Sequence, residues 1–159
     1  MSNPSVTPIP LTYFLVPFEP IEEKWNAYSF SDGTVIRFRV ILTRVTSLKG
    51  AATAPYEMSF QQVLQVEAPP SDRSQPTPPV PPGAVGVEKY EVRPTETIEE
   101  WNSYRIRTTD QILRIKYVAS AFYRFKERFD QFGEPVYAVS GSPIIVPQPK
   151  TGKLGQLIS

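Results

Sequence analysis

Ile112-Leu113-Arg114-Ile115-Lys116-Tyr117-Val118-Ala119-Ser120-Ala121-Phe122-Tyr123-Arg124-Phe125-Lys126 is the stretch on which the fold turns. With a period of two, Leu113, Ile115, Tyr117, Ala119, Ala121, Tyr123 and Phe125 share one face. Arg114, Lys116, Ser120, Arg124 and Lys126 share the other, interrupted by Val118 and Phe122. Such alternation predicts a long, half-buried β-strand. A helix competes for the same residues, because Val118, Phe122, Phe125, Phe129 and Phe132 recur at steps of four and three. The related stretch Val35-Ile36-Arg37-Phe38-Arg39-Val40-Ile41-Leu42 decides for the strand, being dominated by β-branched and aromatic residues.

That relation is part of a wider internal similarity. Ile21-Glu22-Glu23-Lys24-Trp25-Asn26-Ala27-Tyr28 recurs, less one lysine, as Ile98-Glu99-Glu100-Trp101-Asn102-Ser103-Tyr104. Both tryptophans of the chain sit in these two segments. Pro17 and Pro94 precede them at equal offsets, and residues 35–39 match 112–116 after them. A weaker match relates residues 55–66 to 135–146. Self-similarity of this kind predicts a duplicated structural unit.

Each copy reads as an antiparallel meander. It comprises an entry segment (11–18; 88–93), a strand (25–31; 101–107), a long strand (34–46; 112–127) and a return strand (56–66; 136–146). Asp32-Gly33 between alternating runs predicts a type I′ hairpin turn. Thr108-Thr109-Asp110-Gln111, one residue longer, predicts a bulged connection. Phe129 to Pro135 supplies the turn before the return strand, in which Gly141 and Pro143 suit a bulge or a sheet edge. One three-stranded sheet buries little apolar surface alone. The expected fold is therefore all-β, with two pseudo-symmetric antiparallel meanders packed as a sandwich or a barrel. The expected organisation is an N-terminal extension (1–10), repeat one (11–68), a proline-rich linker (69–84), repeat two (85–147) and a C-terminal tail (148–159). Seven of the fourteen residues from Pro69 to Pro82 are proline, which favours extended polyproline II geometry. A plain spacer is the simplest reading of that segment; a ligand for an SH3-type partner is the other.

Composition narrows function. The 159 residues hold 17 basic and 16 acidic side chains, no cysteine and no histidine. Disulfides, zinc–thiolate sites, cysteine nucleophiles and histidine bases or ligands are thereby excluded. No calcium-loop, phosphate-loop or nucleophile-elbow spacing occurs, although Ser140-Gly141-Ser142 and Gly152-Lys153 share fragments of such motifs. The paired acids Glu22-Glu23 and Glu99-Glu100 read as solvated strand entries, or as partners for the arginines opposite, rather than as acid catalysts. The chain is expected to be no enzyme and to need no cofactor or metal. The start Met1-Ser2-Asn3-Pro4 lacks the pattern of a secretory signal, and no apolar run approaches the roughly 20 residues that span a bilayer. Cytoplasm is the default compartment.

What remains is binding. The expected function is a non-catalytic β-module that acts by protein–protein contact, as an accessory or structural subunit of a larger assembly. Candidate contact residues are Tyr13, Phe14 and Phe18 of the proline-bracketed entry segment, and Trp25, Tyr28, Trp101 and Tyr104 of the repeated signature. Leu154 and Leu157 of the tail complete the set. For the repeated aromatics, a place in the core or in the seam between copies is the first reading, and a pair of aromatic binding pockets, one per copy, is the alternative. Asn26 and Asn102 are expected to satisfy backbone groups near their strand starts. The alternative is a single-stranded nucleic-acid-binding β-barrel, with Arg105, Arg107, Arg114, Lys116, Arg124, Lys126 and Arg128 following a phosphate backbone. A slightly acidic first half, with five basic and six acidic residues over 1–68, weighs against it.

Overall fold

The computed structural model describes residues 13–48, 56–79 and 87–148. Its strands are β1 (Tyr13–Leu15), β2 (Phe18–Glu22), β3 (Asn26–Ser29), β4 (Val35–Leu48), β5 (Glu57–Glu67), β6 (Lys89–Val92), β7 (Glu96–Ile98), β8 (Trp101–Ile106), β9 (Gln111–Phe129) and β10 (Pro135–Gln148). A 3₁₀ turn, Pro70–Asp72, follows β5. The strand reading of residues 112–126 holds, because β9 runs unbroken through it.

All pairings are antiparallel and form two five-stranded sheets. In the first sheet β4 is central. It pairs with β3 and β1 along one side and with β5 along the other, and β7 adds to β3. In the second sheet β9 is central. It pairs with β8 and β6 along one side and with β10 along the other, and β2 adds to β8. The entry segments are thus more than the meander expectation allowed. Each divides at a proline. After Pro17 the chain leaves the β4 sheet, where Val16 N–H donates to Val45 C=O at 2.8 Å. It then joins the β8 edge, where Pro17 C=O accepts from Arg107 N–H at 3.0 Å. Around Pro94 the chain makes the opposite crossing, and Thr95 N–H donates to Ser29 C=O at 2.7 Å. Each half of the chain therefore contributes one short strand to the other half's sheet.

Both central strands change phase midway. Ile36, Phe38, Val40 and Leu42 are buried on β4, and then Val45. Leu113, Ile115 and Tyr117 are buried on β9, and then Phe122. The switch occurs at β-bulges, where the register slips between Leu42 and Arg44 and between Ala119 and Ala121. An extra residue in one strand reverses which side chains face inward beyond it. The bulged residue is a hydroxyl amino acid in each case. Thr43 Oγ1 donates to Ser59 C=O at 3.0 Å and Ser120 Oγ to Ser140 C=O at 3.1 Å. The interruption of the polar face at Phe122 was the sequence's trace of the β9 bulge.

The phase switch lets each sheet serve two core clusters. Tyr28, Phe30, Ile36, Phe38 and Val40 of the first sheet pack with Tyr117, Phe122 and Tyr137 of the second. Tyr104, Ile106, Leu113 and Ile115 of the second pack with Leu42 and Val45 of the first. Aromatic pairs bridge the layers, Tyr28 to Phe122 with centroids 4.6 Å apart and Phe38 to Tyr117 at 4.7 Å. Such pairs add about 0.5–1.5 kcal/mol each to area burial. Among the described residues no hydrogen-bonded pairing joins the sheets into a closed barrel, so the sandwich form of the expectation describes the molecule.

The type I′ expectation at Asp32-Gly33 is corrected. Gly33 has φ +92°, whereas Asp32 is not among the positive-φ residues. Gly33 N–H donates to Phe30 C=O at 3.1 Å and Phe30 N–H to Thr34 C=O at 2.9 Å. This is the three-residue hairpin that ends in a left-handed glycine. Asp32 acts through its side chain instead, with Oδ1 accepting from Thr34 N–H at 2.9 Å. The β9–β10 turn repeats the arrangement at Gly133 (φ +80°). The first part of the proline-rich segment is laid onto that turn. Ser74 N–H donates to Gly133 C=O at 3.1 Å, and Arg73 pairs with Glu134 at 2.7 Å. Thr77 holds both backbone groups of Phe129: its hydroxyl lies 3.1 Å from the carbonyl and 3.0 Å from the amide nitrogen.

Candidate functional site

The repeated W-N-x-Y segments begin β3 and β8 and divide by alternation into inward and outward residues. Asn26, Tyr28, Asn102 and Tyr104 point inward and are buried. Trp25 and Trp101 point outward; Trp25 is 37% exposed and Trp101 partly exposed.

The inward asparagines tie the two sheets together. Asn26 Nδ2 donates to Tyr117 C=O on β9 at 3.1 Å, and Asn26 Oδ1 accepts from Glu100 N–H at 2.9 Å. Asn102 Nδ2 donates to Val40 C=O on β4 at 3.2 Å, and Asn102 Oδ1 accepts from Lys24 N–H at 2.8 Å. The two Nδ2 bonds cross from one sheet to a central strand of the other, and the two Oδ1 bonds hold the connectors that precede β8 and β3. The asparagines do satisfy backbone groups as expected, but across the sandwich rather than locally.

Tyr28 donates its hydroxyl to Glu99 Oε2 at 2.8 Å, and the same oxygen accepts Ala119 N–H at 2.7 Å. Tyr104 Oη accepts from Leu42 N–H at 3.3 Å. Burial is the main reason that both phenols titrate above the ordinary tyrosine value; for Tyr28 the bond to Glu99 adds to it. The expectation that Tyr28 and Tyr104 offer contact surface is therefore corrected. They are 0% and 1% exposed, because the even–odd alternation that turns the tryptophans out turns these tyrosines in.

On the outer faces each indole is covered by cations. The Arg39 guanidinium lies 5.7 Å from the Trp25 ring centre and pairs with Glu23 at 2.8 Å. Arg114 and Lys116 lie 4.7 and 5.6 Å from the Trp101 ring centre. Among the described residues neither of these two has a carboxylate partner, whereas the other basic side chains of this region mostly do. Arg105 meets Glu19 and Asp110, Arg107 meets Glu19, Lys126 meets Glu88, and Arg124 faces Asp32. The bulge at Ser120 also divides the basic series. Arg114 and Lys116 stand on the outer face, whereas Arg124 follows the buried Phe122 and lies over the Tyr137 ring at 5.8 Å. Arg128 sits with Lys126 and Glu127 on an open surface dip at the end of β9. The seven cations do not form one continuous face.

The proline-bracketed entry segment carries consecutive exposed apolar side chains. Tyr13, Phe14 and Leu15 are all exposed, Leu15 at 73%. Phe18 is half-buried against the second core cluster. Leu15, Val16, Pro17, Phe18, Thr43, Arg44 and Val45 line a shallow open cleft of about 530 Å³ where the chain crosses between sheets. A second exposed aliphatic run, Ile144, Ile145 and Val146, lies on β10 and escaped the sequence reading. Its signal was present in Pro143-Ile144-Ile145-Val146-Pro147, an apolar run bracketed by prolines like the one at the N-terminus. Leu154 and Leu157 lie outside the described residues.

Comparison of the chain with family models, with curated proteins and with solved structures finds no match in any of the three. Among the described residues no three acidic side chains gather as metal ligands would. No described helix is long and apolar enough to cross a membrane.

Proposed function

We propose that the chain is a non-catalytic β-module acting by protein–protein contact, an accessory or structural subunit of a larger assembly. One observation carries the reading. In β1 the consecutive residues Tyr13, Phe14 and Leu15 are exposed on both faces of the strand, beside an open cleft floored by Val16, Phe18 and Val45. A short edge strand ordinarily survives by burying one face, and an exposed apolar patch of this kind marks a contact surface. The absence of histidine and cysteine from the chain supports a non-catalytic role. We further read the two halves as copies of one sheet-forming unit joined by the proline-rich linker. The paired bulges, reciprocal asparagine bonds and reciprocal strand crossings support that history.

Affinity purification of the tagged chain from its native source, with crosslinking, tests the contact role. A stoichiometric partner should crosslink to residues 13–18. Phe14→Asp with Leu15→Asp should abolish its recovery while leaving the melting temperature within a few degrees. Recovery of a lone 17.9 kDa chain, or a partner indifferent to these substitutions, would count against the reading.

The unpaired Arg114 and Lys116 beside Trp101 favour a second, weaker reading, the binding of single-stranded nucleic acid on that face. It requires salt-dependent quenching of tryptophan fluorescence by oligonucleotides, lost in Arg114→Ala. Absence of binding at low salt removes it.

A further inference from the structure

The two sheets end, opposite their exchanged strands, in β5 and β10. Among the described residues each pairs on one side only, β5 with β4 and β10 with β9. The other side of each is a row of backbone donors and acceptors open to another strand. The two edges are equipped differently. β10 carries Pro143 and Pro147 within an unbroken register from Gly141 to Gln148. A proline keeps its place in such a ladder only where its missing N–H would have faced away from the partner. The free edge of β10 therefore lacks donors at Pro143 and Pro147, on either side of Ile145, and strand addition there is impaired. β5 has no proline in its 11 residues and carries charge only at Glu57 and Glu67, its two ends.

The sequence of β5 is palindromic in character about Gln62. The positions that face the core are fixed by their β4 partners: Met58 opposite Val45, Phe60 opposite Leu42, Gln62 opposite Val40, Leu64 opposite Phe38 and Val66 opposite Ile36. Apolar residues thus stand two and four places to either side of Gln62. The outer positions nearest the ends mirror one another as well: Ser59 and Gln65 are polar, Glu57 and Glu67 acidic. Leu64 faces inward yet remains 36% exposed.

We infer that the free edge of β5 pairs with β5 of a second copy of this chain, antiparallel about a two-fold axis at Gln62, joining two first sheets into one continuous sheet. A two-fold normal to the sheet places inner residues opposite inner residues, which is the isologous contact of a closed dimer. It sets Phe60 against Leu64 of the second copy and Met58 against Val66, covering the exposed leucine. Gln62 meets its own counterpart, where paired amides can bond to each other. Glu57 comes opposite Glu67 of the second copy at each end, where Arg37 lies 3.4 Å from Glu67. This surface is separate from β1, so the dimer and the contact role of β1 can fail independently.

Sedimentation velocity of the full chain over a concentration series tests the inference. The expected result is a reversible species of twice the 17.9 kDa chain mass. Gln62→Lys puts two ammonium groups opposite each other on the axis and should weaken that dimer about tenfold or more, with circular dichroism and melting unchanged. Ile144→Lys on β10 should leave it intact. Because the chain has no cysteine, Gln62→Cys supplies a lone thiol on the axis, and mild oxidation should convert it to a disulfide-linked dimer. A chain that stays monomeric at all concentrations overturns the inference. So does a dimer insensitive to Gln62→Lys whose Gln62→Cys variant does not crosslink.

Discussion

Replacing Asn26 by alanine isolates the contribution of the bonds that hold the sheets in register. The Asn26 side chain is 4% exposed and makes three hydrogen bonds: Nδ2 to Tyr117 C=O at 3.1 Å, Nδ2 to Tyr28 Oη at 3.1 Å, and Oδ1 from Glu100 N–H at 2.9 Å. Alanine removes all three and leaves a backbone carbonyl and a backbone N–H short of a partner in a poorly hydrated seam. At about 1 kcal/mol net for each bond, with more where a buried group is orphaned, the expected loss is about 2–4 kcal/mol. For a chain of this size that lowers the melting temperature by about 5–15 °C. Urea unfolding followed by fluorescence of Trp25 and Trp101 measures it directly. Asn102→Ala should cost a similar amount. Because Asn26 accepts from Glu100 and Asn102 from Lys24, the two asparagines clamp the same pair of adjoining segments. The double variant should therefore lose less than the sum of the single losses.

Asn26→Asp adds a sign test. A carboxylate there would face the Tyr117 carbonyl, which offers it no proton, in a buried site. Its folded pKa must therefore rise above the unfolded aspartate value of about 3.9. Stability is then fully present below that value and falls as pH rises through the folded pKa. The aspartate variant should resemble the parent near pH 3.5 and be weakest at neutral pH. A loss below about 0.5 kcal/mol in Asn26→Ala, inside the range of ordinary surface changes, would refute the reasoning.

Three further outcomes follow from other parts of the molecule. Burial raises the pKa of Tyr28, Tyr104, Tyr117 and Tyr137 above the ordinary value of 10.0, so their contribution is complete below pH 10 and declines above it. Denaturation midpoints should fall steeply in that alkaline range, and less steeply in Tyr28→Phe. A Cβ on Gly133 would lie 2.6 Å from the Ser74 carbonyl oxygen at a backbone φ of +80°, so Gly133→Ala should cost about 1–3 kcal/mol in chemical unfolding. Thr77→Val removes both hydroxyl contacts with Phe129. Hydrogen exchange at the Phe129 amide should then accelerate about tenfold, while core amides of β4 keep their protection.

The strands were legible because their signal is local. Alternation over residues 35–42 and 112–117 maps directly onto one buried face. The bulges were legible only as an irregularity, since the sequence registers a change of phase at Phe122 without saying which strand carries the extra residue. The crossings of β2 and β7 were not legible. Pro17 and Pro94 mark a break in the chain, but the sheet that receives the next strand is decided by long-range packing. The same limit applied to the signature segments. Alternation separates Trp25 from Tyr28 in facing, but which face is the core depends on the opposing sheet. Hence the tyrosines, read as contact residues, proved to be the interior, and the asparagines, read as local caps, span the sandwich. The aliphatic run on β10 was overlooked because apolar residues in a strand ordinarily imply burial, and its exposure arises only from its place at an edge.

Nuclear Overhauser contacts across the exchanged strands in the full-length chain probe the architecture most directly. Backbone proximities between Phe18 and Ile106 and between Tyr28 and Thr97 are required by the observed register, with Glu19 facing Arg105. Finding them establishes that each half completes the other's sheet. Finding instead β2 against β3 and β7 against β8, each half closed on itself, would contradict it.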